Sequence, residues 1–110
     1  SVSLSGTFGC VNSLLTWLEA NNANMVNCLY STNLTWLRAK NATTIDAFNC
    51  ALSVASVAQI FEDAVILGAL GGTIDISGGT NAGIAMWTDA MVANALYLTE
   101  TLGWTLVNNA

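Results

Sequence analysis

The sequence predicts an α/β fold: a short solenoid with small parallel strands on one side and two helices toward the C-terminus. Three observations carry this reading. The tetrapeptide Leu-Thr-Trp-Leu occurs at 15–18 and again at 34–37, nineteen residues later. Short stretches in which apolar residues alternate with polar ones follow each copy. After residue 52 the repeat gives way to two segments whose apolar residues recur at helical spacing. At 110 residues the chain has the length of one domain with its own core.

The repeat extends beyond the tetrapeptide. Leu15 aligns with Leu34, Trp17 with Trp36, Leu18 with Leu37, Ala20 with Ala39 and Ala23 with Ala42. Further on, Val26 aligns with Ile45, Cys28 with Ala47 and Tyr30 with Asn49. Within each unit the pairs Leu18/Ala20 and Val26/Cys28, matched by Leu37/Ala39 and Ile45/Ala47, are two apart. A spacing of two puts both residues on the same face of a short strand. Large residues alternate with small ones, as a narrow interior requires. A unit this short cannot bury its own apolar face and must stack on its neighbours. The period of nineteen lies close to the ~20–29 residues of leucine-rich repeats, and Ile45, Ala47, Cys50 and Leu52 fall on the end of that pattern. We therefore divide the single domain, 1–110, into short repeats over 15–52 and a helical C-terminal cap over 53–110.

The cap opens with a helix. Ser56 and Gln59 have the spacing of a capping box. Val57, Ile60, Phe61, Ala64 and Val65 then mark one face, and Glu62 and Asp63 the opposite, solvated one. The helix is expected to stop near Gly68, in the turn-forming run Gly-Ala-Leu-Gly-Gly. Ile74 and Ile76, flanking Asp75, predict a strand 29 residues after Ile45, which makes this unit one repeat enlarged by a helix. Thr80 or Asn81 is available to cap a second helix over 84–102, with Trp87, Met91, Ala95, Leu98 and Leu102 on one face. Gly103 stands where a left-handed cap residue belongs, and Trp-Thr-Leu-Val-Asn-Asn reads as a last strand.

The run from 49 to 52, "TIDISGGTNA" at 73–82 and "GWTLV" at 103–107 carry a resemblance. Together they resemble the C-terminal end of leucine-rich-repeat-like proteins of bacteriophages and prophages, in which Leu/Cys/Asn-rich repeats lead into such a cap. The resemblance covers about residues 15–110. It implies a non-enzymatic structural protein of a phage virion, a capsid decoration or tail-associated protein acting through protein–protein contacts. Its partners would be capsid or tail subunits or copies of itself, and its location the virion, or the bacterial cytoplasm during assembly. The alternative is a binding module or adhesin that recognises a host glycan or protein receptor.

Composition narrows the chemistry. The chain is 54% apolar and 8% charged, with twelve Asn, no His and no Pro. A net charge of −5 with only Arg38 and Lys40 as cations cannot neutralise several phosphates, which argues against nucleic acid and against an anionic membrane surface. No run of about 18 apolar residues predicts a membrane-spanning helix, and the first thirteen residues lack the basic and apolar regions of a leader. Without His there is no imidazole base and no serine–histidine triad. We expect no enzyme activity, no cofactor and no metal centre.

The candidate residues are accordingly few. Cys10, Cys28 and Cys50 are odd in number and form no Cys-x-x-Cys pair, so we read them as buried, reduced and apolar in behaviour rather than as a disulfide. Asp46 and Asp75, on successive predicted strands, could form a weak acidic pair, although a solvated strand face is the reading we favour. The Gly-rich stretch 77–83 lacks the lysine of a phosphate loop and reads as a turn and cap. Asp89 reads as an exposed helix charge. Trp17 and Trp36 should stack one repeat apart. With Tyr30 and Trp87 they either pack the interior or offer a contact surface to a partner subunit or glycan. Sequons at Asn33 and Asn41 matter only in a eukaryotic secretory setting.

Overall fold

Leu18, Val26, Leu37 and Ile45, the large residues of the alternating stretches, are all buried and each lies in a short strand. The computed structural model describes residues 6–110, with side chains from residue 8; residues 1–5 of the segment read for a leader lie outside the described residues. The chain is mixed α/β. Strands β1 (Gly6–Gly9), β3 (Ala23–Asn27), β5 (Thr44–Asp46), β6 (Thr73–Ile76) and β7 (Thr105–Asn108) form a five-stranded parallel sheet in that order. Strands β2 (Trp17–Glu19) and β4 (Trp36–Arg38) pair in a second, two-stranded parallel sheet. Helix α1 (Val54–Leu67) packs beside β4, and helix α2 (Asp89–Leu96) beside α1.

The internal alignment is realised as strand register. Trp17 pairs with Trp36 and Leu18 with Leu37. Val26 pairs with Ile45, and Ile45 with Ile74, the residue 29 positions on. The inserted residues are chiefly α1. One apolar column thus runs across the large sheet through Phe8, Val26, Ile45, Ile74 and Leu106. The turns that leave the strands are equivalent as well. Asn12, Tyr30, Asn49 and Gly78 all adopt left-handed backbone conformations, with φ of 54°, 60°, 64° and 73°. The first three each donate their N–H to a carbonyl of the next strand's turn, at Leu29, Phe48 and Ser77.

Three buried polar side chains join successive units through the backbone, which would otherwise leave unpaired groups in the interior. Ser31 Oγ accepts from the Ser13 N–H and donates to the Cys10 carbonyl. Ser56 Oγ does the same for the N–H and carbonyl of Leu37. Asn81 accepts from the Leu52 N–H and donates to the Ala47 carbonyl. At the last strand Asn109 takes an equivalent role, accepting from the Gly78 N–H and donating to the Gly78 and Asn81 carbonyls.

Several expectations are corrected. Cys10 and Cys28 are joined in a disulfide, so only Cys50 is a free buried thiol. Their spacing of 18 sets them side by side on adjacent strands' ends, with Cα atoms 4.7 Å apart, the spacing of neighbouring strands. Helix α1 is capped by Ser53, whose side chain accepts from the Ser56 N–H, and not by Ser56, whose hydroxyl is occupied by Leu37. Gly68 ends the helix in a left-handed conformation, as expected. Asp63 is buried rather than solvated, because Arg38 reaches it from β4. The second helix is shorter than 84–102. A 3-10 turn at Ile84–Met86 gives way to extended backbone at Trp87 and Thr88, and Thr88, not Thr80 or Asn81, caps α2 by accepting from the Met91 N–H. The helix widens into a π turn over Tyr97–Thr101, where the Leu102 N–H bonds the Tyr97 carbonyl. Gly103 is left-handed, φ 71°.

Candidate functional site

Asp46 and Asp75 lie opposite each other in the register of β5 and β6. Each carboxylate is already engaged at the end of its own strand. Asp46 Oδ1 accepts from the Phe48 N–H at 3.2 Å; Asp75 Oδ1 accepts from the Ser77 N–H at 3.0 Å and its hydroxyl at 2.6 Å. Asn27, in register with Asp46 on β3, accepts from the Leu29 N–H in the same way. The acidic pair is therefore two members of a three-residue row of side chains that close the turns after successive strands. Among the described residues no group of three or more His, Cys, Asp or Glu side chains is arranged to hold a metal ion.

The aromatic candidates fall on different elements. Trp17 and Trp36 are neighbours in the small sheet, Trp17 being about half exposed, and the Trp36 indole N–H donates to the Glu19 carboxylate at 3.2 Å. Tyr30, in its left-handed turn, meets Phe48 edge-on with centroids 5.6 Å apart. Trp87 meets Phe61 of α1 edge-on at 5.0 Å and is partly buried. The structure thus brings together Trp17 with Trp36 and Asp46 with Asp75, and leaves Tyr30 and Trp87 in separate aromatic pairs.

The Gly-rich stretch serves packing. Gly78 and Gly79 have φ of 73° and 53°. A Cβ on Gly79 would strike the Cys50 carbonyl oxygen, and one on Gly78 would lie 2.8 Å from the Phe48 ring. The loop therefore rests directly on the turn of the preceding unit, which only glycine permits at these backbone angles.

Sequence reasoning missed two features. Arg38 and Lys40, the only cations in the chain, line a hollow of about 410 Å³ with Asn41, Asp63, Ile66 and Leu67. Arg38 makes a two-point contact with Asp63, at 3.0 and 3.2 Å, and Gln59 Nε2 adds a third bond at 2.9 Å. These hydrogen bonds and the carboxylate's charge hold the Arg38 guanidinium above its usual pKa range. The pairing joins residues 25 apart on a strand and a helix, and no local pattern announces it.

The second missed feature is where the exposed apolar residues gather. Val11, Leu14 and Leu15 crowd the segment between β1 and β2, next to Trp17 at the start of β2, and Leu14 is 85% exposed. Beyond β7 a second hollow of about 200 Å³ is lined by Ile84, Trp87, Val92, Leu96, Leu106 and other residues. Comparison with protein-family models, with curated proteins and with solved structures finds no match. No helix among the described residues is long and apolar enough to cross a membrane.

Proposed function

We propose that the chain is a short leucine-rich-repeat-like solenoid that acts as a non-enzymatic structural protein of a phage virion, as a capsid decoration or tail-associated protein. The in-register stacking of the nineteen-residue units and of the enlarged unit after them supports the solenoid reading. The observation that carries the functional reading is the exposed apolar surface: Leu14, Leu70, Ile66 and Met86 are each more than half exposed in a chain with few charges to solvate it. Such surface is suited to burial against other subunits. The Cys10–Cys28 disulfide fits a particle that spends its working life outside the cell.

Quantitative mass spectrometry of purified virions tests this. Hundreds of copies per particle are the result expected of a decoration protein, and a few copies point to the tail. Absence from the particle overturns the virion role. A second reading, an adhesin for a host glycan or protein, draws on the exposed rings of Trp17 and Tyr30. It predicts that Trp17→Ala abolishes adsorption to host cells while leaving particle assembly intact.

A further inference from the structure

Among the described residues, β1 and β7 are the two edges of the large sheet, and each pairs on one side only. All five strands run in the same direction, so the free side of β7 in one copy and the free side of β1 in another can continue a single parallel sheet. The apolar column is less covered at its two ends. Val26, Ile45 and Ile74 are 1–2% exposed, whereas Phe8 and Leu106 at its two ends are only partly buried. Leu15 is 40% exposed, while its repeat equivalent Leu34, which has a unit stacked before it, is fully buried.

Natural edge strands are commonly protected from pairing by charged side chains or proline. Neither device is present here: no charged residue occurs before Glu19 or after Glu100, and the chain has no proline. Val11 and Leu14 are exposed in the segment after β1, and a largely apolar hollow lies against β7, lined by Ile84, Val92, Leu96 and Leu106 together with Thr99, Asn108 and others.

We infer that copies of this chain stack end to end, with β7 of one copy alongside β1 of the next and Leu14 directed to the hollow beyond β7. This names the partner within the structural role proposed above, and rests on that reading only for its setting. The contact joins two different surfaces, so it propagates into rows or closes into a ring, and does not end at a two-fold dimer.

Sedimentation of the purified chain and of two variants tests the inference. Leu14→Asp disables one end and Leu96→Asp the other; both positions are exposed, and circular dichroism and thermal melting verify that each variant folds. Val11→Asp and Val92→Asp substitute for either that does not. The unaltered chain is expected to gain mass above 11.5 kDa as its concentration rises. Each variant alone should remain a monomer. An equal mixture of the two should form a species of twice the monomer mass and no larger one, because each contributes one intact end. A monomeric unaltered chain at every concentration, a variant that associates by itself, or a mixture that stays monomeric would each overturn the inference. A chain abundant in virions yet monomeric in solution would overturn the self-stacking alone.

Discussion

Asn81 bridges two preceding segments with one amide, accepting from Leu52 and donating to Ala47 in a buried position. Asn81→Ala leaves an N–H and a carbonyl without partners and is expected to lower stability by about 3 kcal/mol. Asn81→Asp keeps the acceptor but sets a buried carboxylate against the Ala47 carbonyl, and should cost more. Urea denaturation of both variants checks this; a loss under about 1 kcal/mol for the alanine variant would mean that water takes over the amide's bonds. Arg38→Ala removes two of the three donors on the buried Asp63 and should cost about 2 kcal/mol, whereas Arg38→Lys, which loses the planar fork, should recover only part of this. Neither Asn81 nor Asp63 looked like an interior residue in the sequence. Polar residues in a helix or Gly-rich loop ordinarily face solvent, and the partners that draw these two inward lie 25 to 34 residues away.

At the scale of elements, Thr88 holds the break between the 3-10 turn and α2. Thr88→Ala is expected to cost about 1 kcal/mol, read as a lower melting temperature. Gly79→Ala should be more severe, since it adds a clash with the Cys50 carbonyl to an unfavourable backbone angle. Strands β2 to β6 were legible because a buried face imposes alternation, and the repeat period set which of them pair. β1 was not, because Gly6–Gly9 holds a single large apolar residue, Phe8, and shows no alternation. Its signal was Phe8 and Cys10 standing 18 residues before Val26 and Cys28. The same spacing concealed the disulfide, since an odd cysteine count directs attention to pairs close in sequence. The side-by-side placement of Asp46 and Asp75 followed from the repeat. The gathering of exposed apolar residues around Leu14 did not, because exposure depends on what packs against a residue in space and not on its type.

For the molecule as a whole, Cys10–Cys28 ties the first unit to the second, and reduction is expected to lower stability by about 2–4 kcal/mol in denaturant titrations. Cys50 behaves differently. Its thiol is buried, which pushes its pKa up, and it donates to the Cys28 carbonyl at 2.9 Å. It should resist alkylation in the native state and react once the chain unfolds. Because the folded state holds this proton more tightly than the unfolded one, the associated stability is intact through neutral pH. It declines as pH rises past the ordinary thiol value of about 8.5, and Cys50→Ala should remove that part of the pH dependence.

The covalent tie also sets how the protein yields to mechanical load. A pull on the N-terminus is passed through the sulfur bridge from Cys10 to Cys28, so the Trp17 strand lies outside the path of the force. Stretching single molecules in oxidising buffer should therefore release β1 and chain beyond residue 28, but not the segment between the two cysteines. A reductant should add a further extension of about 60 Å, the reach of the eighteen residues that the bridge had held slack.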